Sequence, residues 1–267
     1  MTIPQLLQQI LHYATLPGAM GLVCVLAFML GERRRGQLLM LSLSAAVSIN
    51  LLLKELFKIT RPWLMHVETA PYLAEGGYAL PCLHTQLAAA LFGSFALTAK
   101  NKSVRFLCAA AIWLTAVVRV LSGLQSIPDV LSGAAVGMLI AFVLCRYWYH
   151  HKIDDCGISY CLSSELPVFL ITLLPGLVSA ISFYDGWGLG LSLTVIVLRL
   201  LDKSFQKAEA RRNTFLKIYS TALAAGAYTG LTIFLPFLIE WLITPLWPGQ
   251  ALIVFLITLI PCLFRLM

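Results

Sequence analysis

The chain has 267 residues, of which 60% are hydrophobic and only 12% charged. Soluble domains carry about 25% charged residues, so this composition excludes an ordinary soluble domain and points to a chain that crosses a lipid bilayer repeatedly. The net charge of +7 does not indicate nucleic acid, because the basic residues sit in short loops between apolar runs rather than on one stripe.

Taken in chain order, residues 1–14 are expected to form an amphipathic lead-in helix. They carry no Lys or Arg, so the basic start of a secretory signal peptide is missing. Apolar runs then predict nine spans, about 15–31, 37–57, 83–99, 104–122, 128–147, 166–184, 187–201, 215–238 and 250–264, each near the roughly 20 residues needed to cross a bilayer. Several are short or interrupted by Gly and Pro, and eight spans is the alternative count. The expected class is therefore all-α, a polytopic transmembrane helical bundle, with residues 1–267 as a single membrane domain. Residues 62–80 form the longest loop of the first half. The seven cysteines show no metal-ligand pattern; Cys156 and Cys161 share one loop, and most of the others lie in apolar runs.

With nine spans the loops alternate sides. Lys54, Lys58, Arg61 and Arg119 fall on one side, and every other Lys and Arg falls on the other. The positive-inside rule makes the larger group cytoplasmic. The N-terminus is then expected outside and the C-terminus inside. The minority cations stand at a membrane boundary on the non-cytoplasmic side, where binding an anion is a common reason for them.

Three segments gather on that side. In KELFKITRP, residues 54–62, Lys54 and Arg61 are seven apart, about two helical turns, which places both on one helix face, with Pro62 expected to end the helix. In GYALPCLHTQLAAALFGSFA, residues 77–96, His84 stands in or just before the first turn of a span, where backbone N–H groups and the helix dipole favour an anion. A His in that position is able to protonate a leaving oxygen; Thr85 is an alternative cap. In RVLSGLQSIPDVLSG, residues 119–133, Arg119 ends one span, and Ser126 with Asp129 has the spacing of a capping box at the start of the next. Interfacial snorkelling of the cations and a plain helix cap are the bland alternatives for each segment taken alone.

Together the segments read K-x6-RP, P-x2-H and R-x5-Q-x3-D, and this resembles the type 2 phosphatidic acid phosphatase superfamily of integral-membrane lipid phosphate phosphatases. The family pattern is K-x6-RP, then PSGH, then SR-x5-H-x3-D. The first motif is complete. The second keeps Pro81 and His84 but has Cys82 for Ser and Leu83 for Gly. The third keeps Arg119 and Asp129, has Val118 for the leading Ser, and has Gln125 where the family has its His. GGYALPCLHTQ and the spans beyond the six-helix core are similar to the sphingosine-phosphate phosphatase branch, and the extra spans also to the glucose-6-phosphatase branch. By resemblance residues 1–150 hold the phosphatase-type core and 151–267 the remaining spans.

The resemblance implies that Lys54, Arg61 and Arg119 hold phosphoryl oxygens, with Cys82 and Leu83 at the position that helps surround them. It implies His84 as general acid and Asp129 as the group that orients residue 125. It requires no cofactor, and ligand spacing signals no metal. The partner it implies is a phosphorylated lipid or isoprenoid headgroup in the bilayer. Gln125 departs from this scheme, since an amide nitrogen gives its lone pair to the carbonyl and is a poor nucleophile. Cys82 is a weaker donor than Ser, and Leu83 adds a branched side chain where close backbone approach calls for none. Four departures across two motifs point to a diverged site rather than to one substitution. The expectation is a lipid phosphate phosphatase homologue with an impaired site on the non-cytoplasmic face. The alternatives are a non-catalytic binder or transporter of the same headgroup, and a purely structural partner subunit.

Overall fold

The computed structural model describes residues 6, 9–10, 13–62, 77–149, 158–183, 187–201, 205, 214–242 and 247–266. Most of the expected lead-in helix, most of the 62–80 loop, Cys156 and residues 184–186 lie outside them. Among the described residues there is no strand. Nine long helices among the described residues occupy the nine expected positions: α1 (Pro17–Leu30), α2 (Arg33–Phe57), α3 (Leu83–Thr98), α4 (Lys102–Leu121), α5 (Ile127–Leu144), α6 (Ile158–Phe183), α7 (Trp187–Leu200), α8 (Thr214–Leu242) and α9 (Trp247–Leu263). A π-helical turn, Cys145–Tyr149, extends α5. The protein is an all-α membrane helical bundle: α2, α4 and α5 with its extension are long and apolar enough to cross a membrane, and apolar helices of 10–17 residues accompany them.

Local chemistry sets several of the ends. Pro17 opens α1, where its missing N–H costs nothing. Asn101 caps α4 by accepting from the Ser103 N–H at 2.9 Å. The end of α2 departs from expectation. The helix stops at Phe57 because Lys58 takes a left-handed conformation, φ 49°, with its N–H still donating to the Lys54 carbonyl. Pro62 is not what ends it. Lys54 and Arg61 are therefore not two turns apart on one helix face; Lys54 sits on the last turn of α2, and Arg61 lies beyond the helix.

α2 is the axis of the bundle, packed against α1, α3, α5, α6 and α7. Its apolar window is 78% buried, against 28% for α4, which is why α4 reads as a peripheral helix. Phe106, Trp113 and Leu121 of α4 are exposed, as lipid-facing side chains are. Inside, hydroxyl pairs join the helices: Ser42 with Ser94 at 2.7 Å, and Ser44 with Ser192 and the Gly188 carbonyl, both at 2.7 Å. Such bonds supply partners that an apolar interior otherwise lacks.

α3 and α5 pack closely along their length. A Cβ on Gly133 would stand 2.6 Å from the Cys82 carbonyl oxygen, and one on Gly137 would collide with the Gln86 carbonyl and the Ala89 methyl. At the end of the bundle away from Lys54, arginines close the carbonyl ends of helices. Arg35 donates to the Thr98 carbonyl at 3.2 Å. Buried Arg265 donates to the Phe28 and Gly31 carbonyls and stacks over the Phe28 ring. The two ends are thus chemically distinct.

Replacing Gly137 by Val is expected to lower stability by about 1–3 kcal/mol through overpacking. Gly226→Ala, where an added Cβ meets nothing within 4 Å, is expected to be neutral or slightly stabilising. Thermal unfolding in detergent measures both.

Candidate functional site

The residues singled out in the sequence gather at the end of the bundle where α2 and α4 finish and α3 and α5 begin. Lys54 is half-buried on the last turn of α2. Beyond it the chain folds back, and the Ile59 carbonyl accepts from the Ala79 N–H at 2.8 Å. This brings Arg61 under the Gly77–Ala79 segment, where its Nε donates to the Gly77 carbonyl at 3.1 Å. Arg61 is 2% exposed. Cys82 is the N-cap of α3 but makes no side-chain cap bond, and His84 is the second helical residue. Thr85 is not the cap; its hydroxyl donates to Cys82 Sγ at 3.4 Å. Arg119 lies buried on the last turn of α4.

The α4–α5 connection carries the third segment. Gly123 takes φ +68° in the turn, a conformation that disfavours any Cβ. Ser126 and Asp129 form the expected capping box. Asp129 Oδ2 accepts from the Ser126 N–H at 2.8 Å and from the Ser126 hydroxyl at 2.6 Å. The Asp129 carbonyl accepts from the Cys82 N–H at 2.9 Å, which joins the second segment to the third. One of the close backbone N–H groups at the start of α3 is therefore spent on protein.

Gln125, buried between these pieces, joins all three. With its amide assigned the orientation that its neighbours' donors and acceptors require, Nε2 donates to the Ala79 carbonyl at 3.0 Å and to Asp129 Oδ2 at 3.3 Å, and Oε1 accepts from Arg61 Nη1 at 2.9 Å. Arg61, Gln125, Asp129 and Cys82 thus form one bonded group, with His84, Arg119 and Lys54 at the same end of the bundle. Leu83 packs on the main core.

Two positioning residues went unnoticed in the sequence. Asn50, fully buried in α2, donates to the Pro81 carbonyl at 3.1 Å and to Gln86 Oε1 at 2.8 Å. Gln86 in turn donates to the Ala46 carbonyl at 3.0 Å. The pair holds the Pro81–His84 turn onto the central helix. Their signal was available: Asn and Gln inside apolar spans are costly and tend to have a purpose.

Burying Arg61, His84, Arg119 and Asp129 together is not required to close a helical bundle. Buried charge costs free energy unless it is paired and hydrogen-bonded, and such concentrations are typical of functional sites. The group gathers basic and polar side chains at one end of the bundle. It has no nucleophile at residue 125.

Gln125→Leu is expected to destabilise the protein by about 1–3 kcal/mol, since the Ala79 carbonyl and the buried Arg61 guanidinium each lose a partner. Ser126→Ala is expected to cost about 1 kcal/mol through loss of the cap, and Leu121→Ala, at a lipid-exposed position, much less. Melting temperatures of the three variants decide the ranking.

No curated protein and no solved structure matches the chain. A family model does: residues 35–153 match the PAP2 superfamily. The match opens in the first turn of α2 and runs past the π-helical turn. Over this segment, which carries α2 to α5 and every residue of the bonded group, the chain is similar to the PAP2 superfamily.

Proposed function

We propose that the whole chain, as a single membrane domain, is a PAP2-superfamily protein that holds a phosphorylated lipid or isoprenoid headgroup and does not hydrolyse it at a normal rate. The observation that carries this reading is the gathering of three basic side chains around the bonded group of Gln125. Gln125 gives Arg61 a hydrogen-bond acceptor but no negative charge. Glu55, at the same end, is ion-paired with Lys58 at 3.5 Å. Lys54, Arg61, His84 and Arg119 gather at that end of the bundle, inside the segment that matches the family model. Basic side chains brought together at a low-dielectric boundary attract a phosphate.

In this reading the three cations hold phosphoryl oxygens, with the start of α3 at their side. His84 is placed to donate to a bridging or terminal oxygen. Asp129, which in the family orients the nucleophile, here orients the Gln125 amide. Hydrolysis through a covalent intermediate lacks its first step, because no lone pair at residue 125 is available to attack phosphorus. The site faces the non-cytoplasmic side if the excess of Lys and Arg at the other end of the bundle marks the cytoplasm. The branch within the superfamily that fits best is the sphingosine-phosphate phosphatase type, through GGYALPCLHTQ.

Purified protein in detergent, offered a panel of lipid phosphates and diphosphates, is expected to release no more phosphate than its Lys54→Ala variant. It is expected to retain a lipid phosphate whose occupancy falls at least about tenfold in Arg61→Ala and Arg119→Ala. Gln125→His combined with Cys82→Ser and Leu83→Gly is expected to gain phosphate release. Turnover by the unaltered chain above the Lys54→Ala control supports an active phosphatase instead, and lipid occupancy indifferent to both arginines removes the phosphate site altogether.

A further inference from the structure

Arg61 is held by two acceptors of its own chain. Its Nε donates to the Gly77 carbonyl at 3.1 Å, and its Nη1 donates to Gln125 Oε1 at 2.9 Å. A guanidinium pairs a phosphate bidentately along one of two edges, Nε with Nη2 or Nη1 with Nη2. Each edge includes one of the two engaged nitrogens. A phosphate gripped by Arg61 therefore competes with a protein acceptor, Gly77 on one edge and Gln125 on the other.

The two acceptors are not equally replaceable. The Gly77 carbonyl belongs to backbone that is tied down two residues later, where the Ala79 N–H donates to the Ile59 carbonyl at 2.8 Å. Gln125 Oε1 is the neutral end of a side chain in the α4–α5 connection. Hydrogen bonds to a charged oxygen are about twice as strong as neutral ones, so a phosphoryl oxygen displaces the amide oxygen. The exchange has a cost, because Gln125 is 4% exposed and its oxygen then loses a donor out of reach of bulk water.

The frame around the site does not rest on this bond. Asn50 donates to the Pro81 carbonyl at 3.1 Å, the Cys82 N–H donates to the Asp129 carbonyl at 2.9 Å, and Ser126 with Asp129 closes the start of α5. The Gln125 Nε2 keeps its own bonds to Ala79 and Asp129. The Arg61–Gln125 bond is thus free to open while the three segments stay together.

We propose that Gln125 sets the affinity of the site: its amide oxygen occupies on Arg61 the place that a phosphoryl oxygen of the ligand takes over, so binding exchanges an internal hydrogen bond for one to the ligand. This rests on the headgroup reading above. Apparent affinity is lowered in proportion to the fraction of molecules in which Arg61 is released. The residue that takes the place of a nucleophile thereby also tempers retention, and a held phosphate leaves more readily.

Gln125→Met removes the acceptor at nearly the same side-chain length, and Gln125→Asn withdraws it by one methylene. Binding of inorganic phosphate and of dihexanoyl phosphatidic acid is measured in detergent for the unaltered chain, for both variants after a size-exclusion check of folding, and for the same substitutions combined with Arg61→Ala. Each single variant is expected to bind both probes about tenfold more tightly, equivalent to about 1.4 kcal/mol. Combined with Arg61→Ala, the same substitutions are expected to change binding by less than about twofold, because the competitor has lost its partner. Unchanged or weaker binding by the folded single variants overturns the exchange. So does an equal gain in the Arg61→Ala background, or a gain for phosphatidic acid with none for inorganic phosphate. In each of these cases the headgroup reading stands as long as Arg61→Ala and Arg119→Ala by themselves weaken binding of both probes. If neither arginine matters to either probe, the headgroup reading fails and the exchange falls with it.

Discussion

The close contact of α5 on α3 is the constraint on which the site depends. Gly133 and Gly137 leave no room for a Cβ against the Cys82 and Gln86 carbonyls, so the helix backbones meet. That approach allows the Cys82 N–H to reach the Asp129 carbonyl. It fixes the first turn of α5, and the capping box then aims the Asp129 carboxylate back toward Gln125. Gln125 spans the remaining gap to Ala79 and Arg61. A shift of α5 by even a fraction of a turn would separate all three segments at once. In a bilayer, where apolar side chains gain little by preferring each other to lipid, small residues at a helix interface are a common source of such contacts.

The chemistry of residue 125 follows from the same geometry. A Gln in this position satisfies the hydrogen-bonding needs of its neighbours, one carbonyl, one carboxylate and one guanidinium, without carrying charge. It supplies the pocket's bonding with an amide, which is a poor nucleophile. The proposed binding function and the proposed loss of turnover thus have one cause.

The architecture was largely legible in the sequence. Each expected span coincides with a helix, because apolar run length is a local property; the ends differ most at α6, which begins at Ile158 rather than near residue 166. The Ser126–Asp129 capping box was legible for the same reason, since its four residues lie within one turn. The relation of Lys54 to Arg61 was not. A helix was assumed to run to Pro62, whereas a left-handed Lys58 stops it at Phe57, a conformation that nothing in KELFKITRP demands. The roles of Asn50 and Gln86, and the bonds of Gln125 to Arg61 and Ala79, depend on contacts between segments far apart in the chain. Spacing alone does not encode these.

The central claim is that this site binds a lipid phosphate and leaves it intact. The most direct measurement is phosphorus NMR of the purified chain with phosphatidic acid in detergent, followed over hours. The account predicts a shifted or broadened headgroup resonance that returns to its free position in Arg119→Ala, with no inorganic phosphate signal growing in. A growing inorganic phosphate signal that disappears in Lys54→Ala, or a headgroup resonance unaffected by the protein, would contradict it.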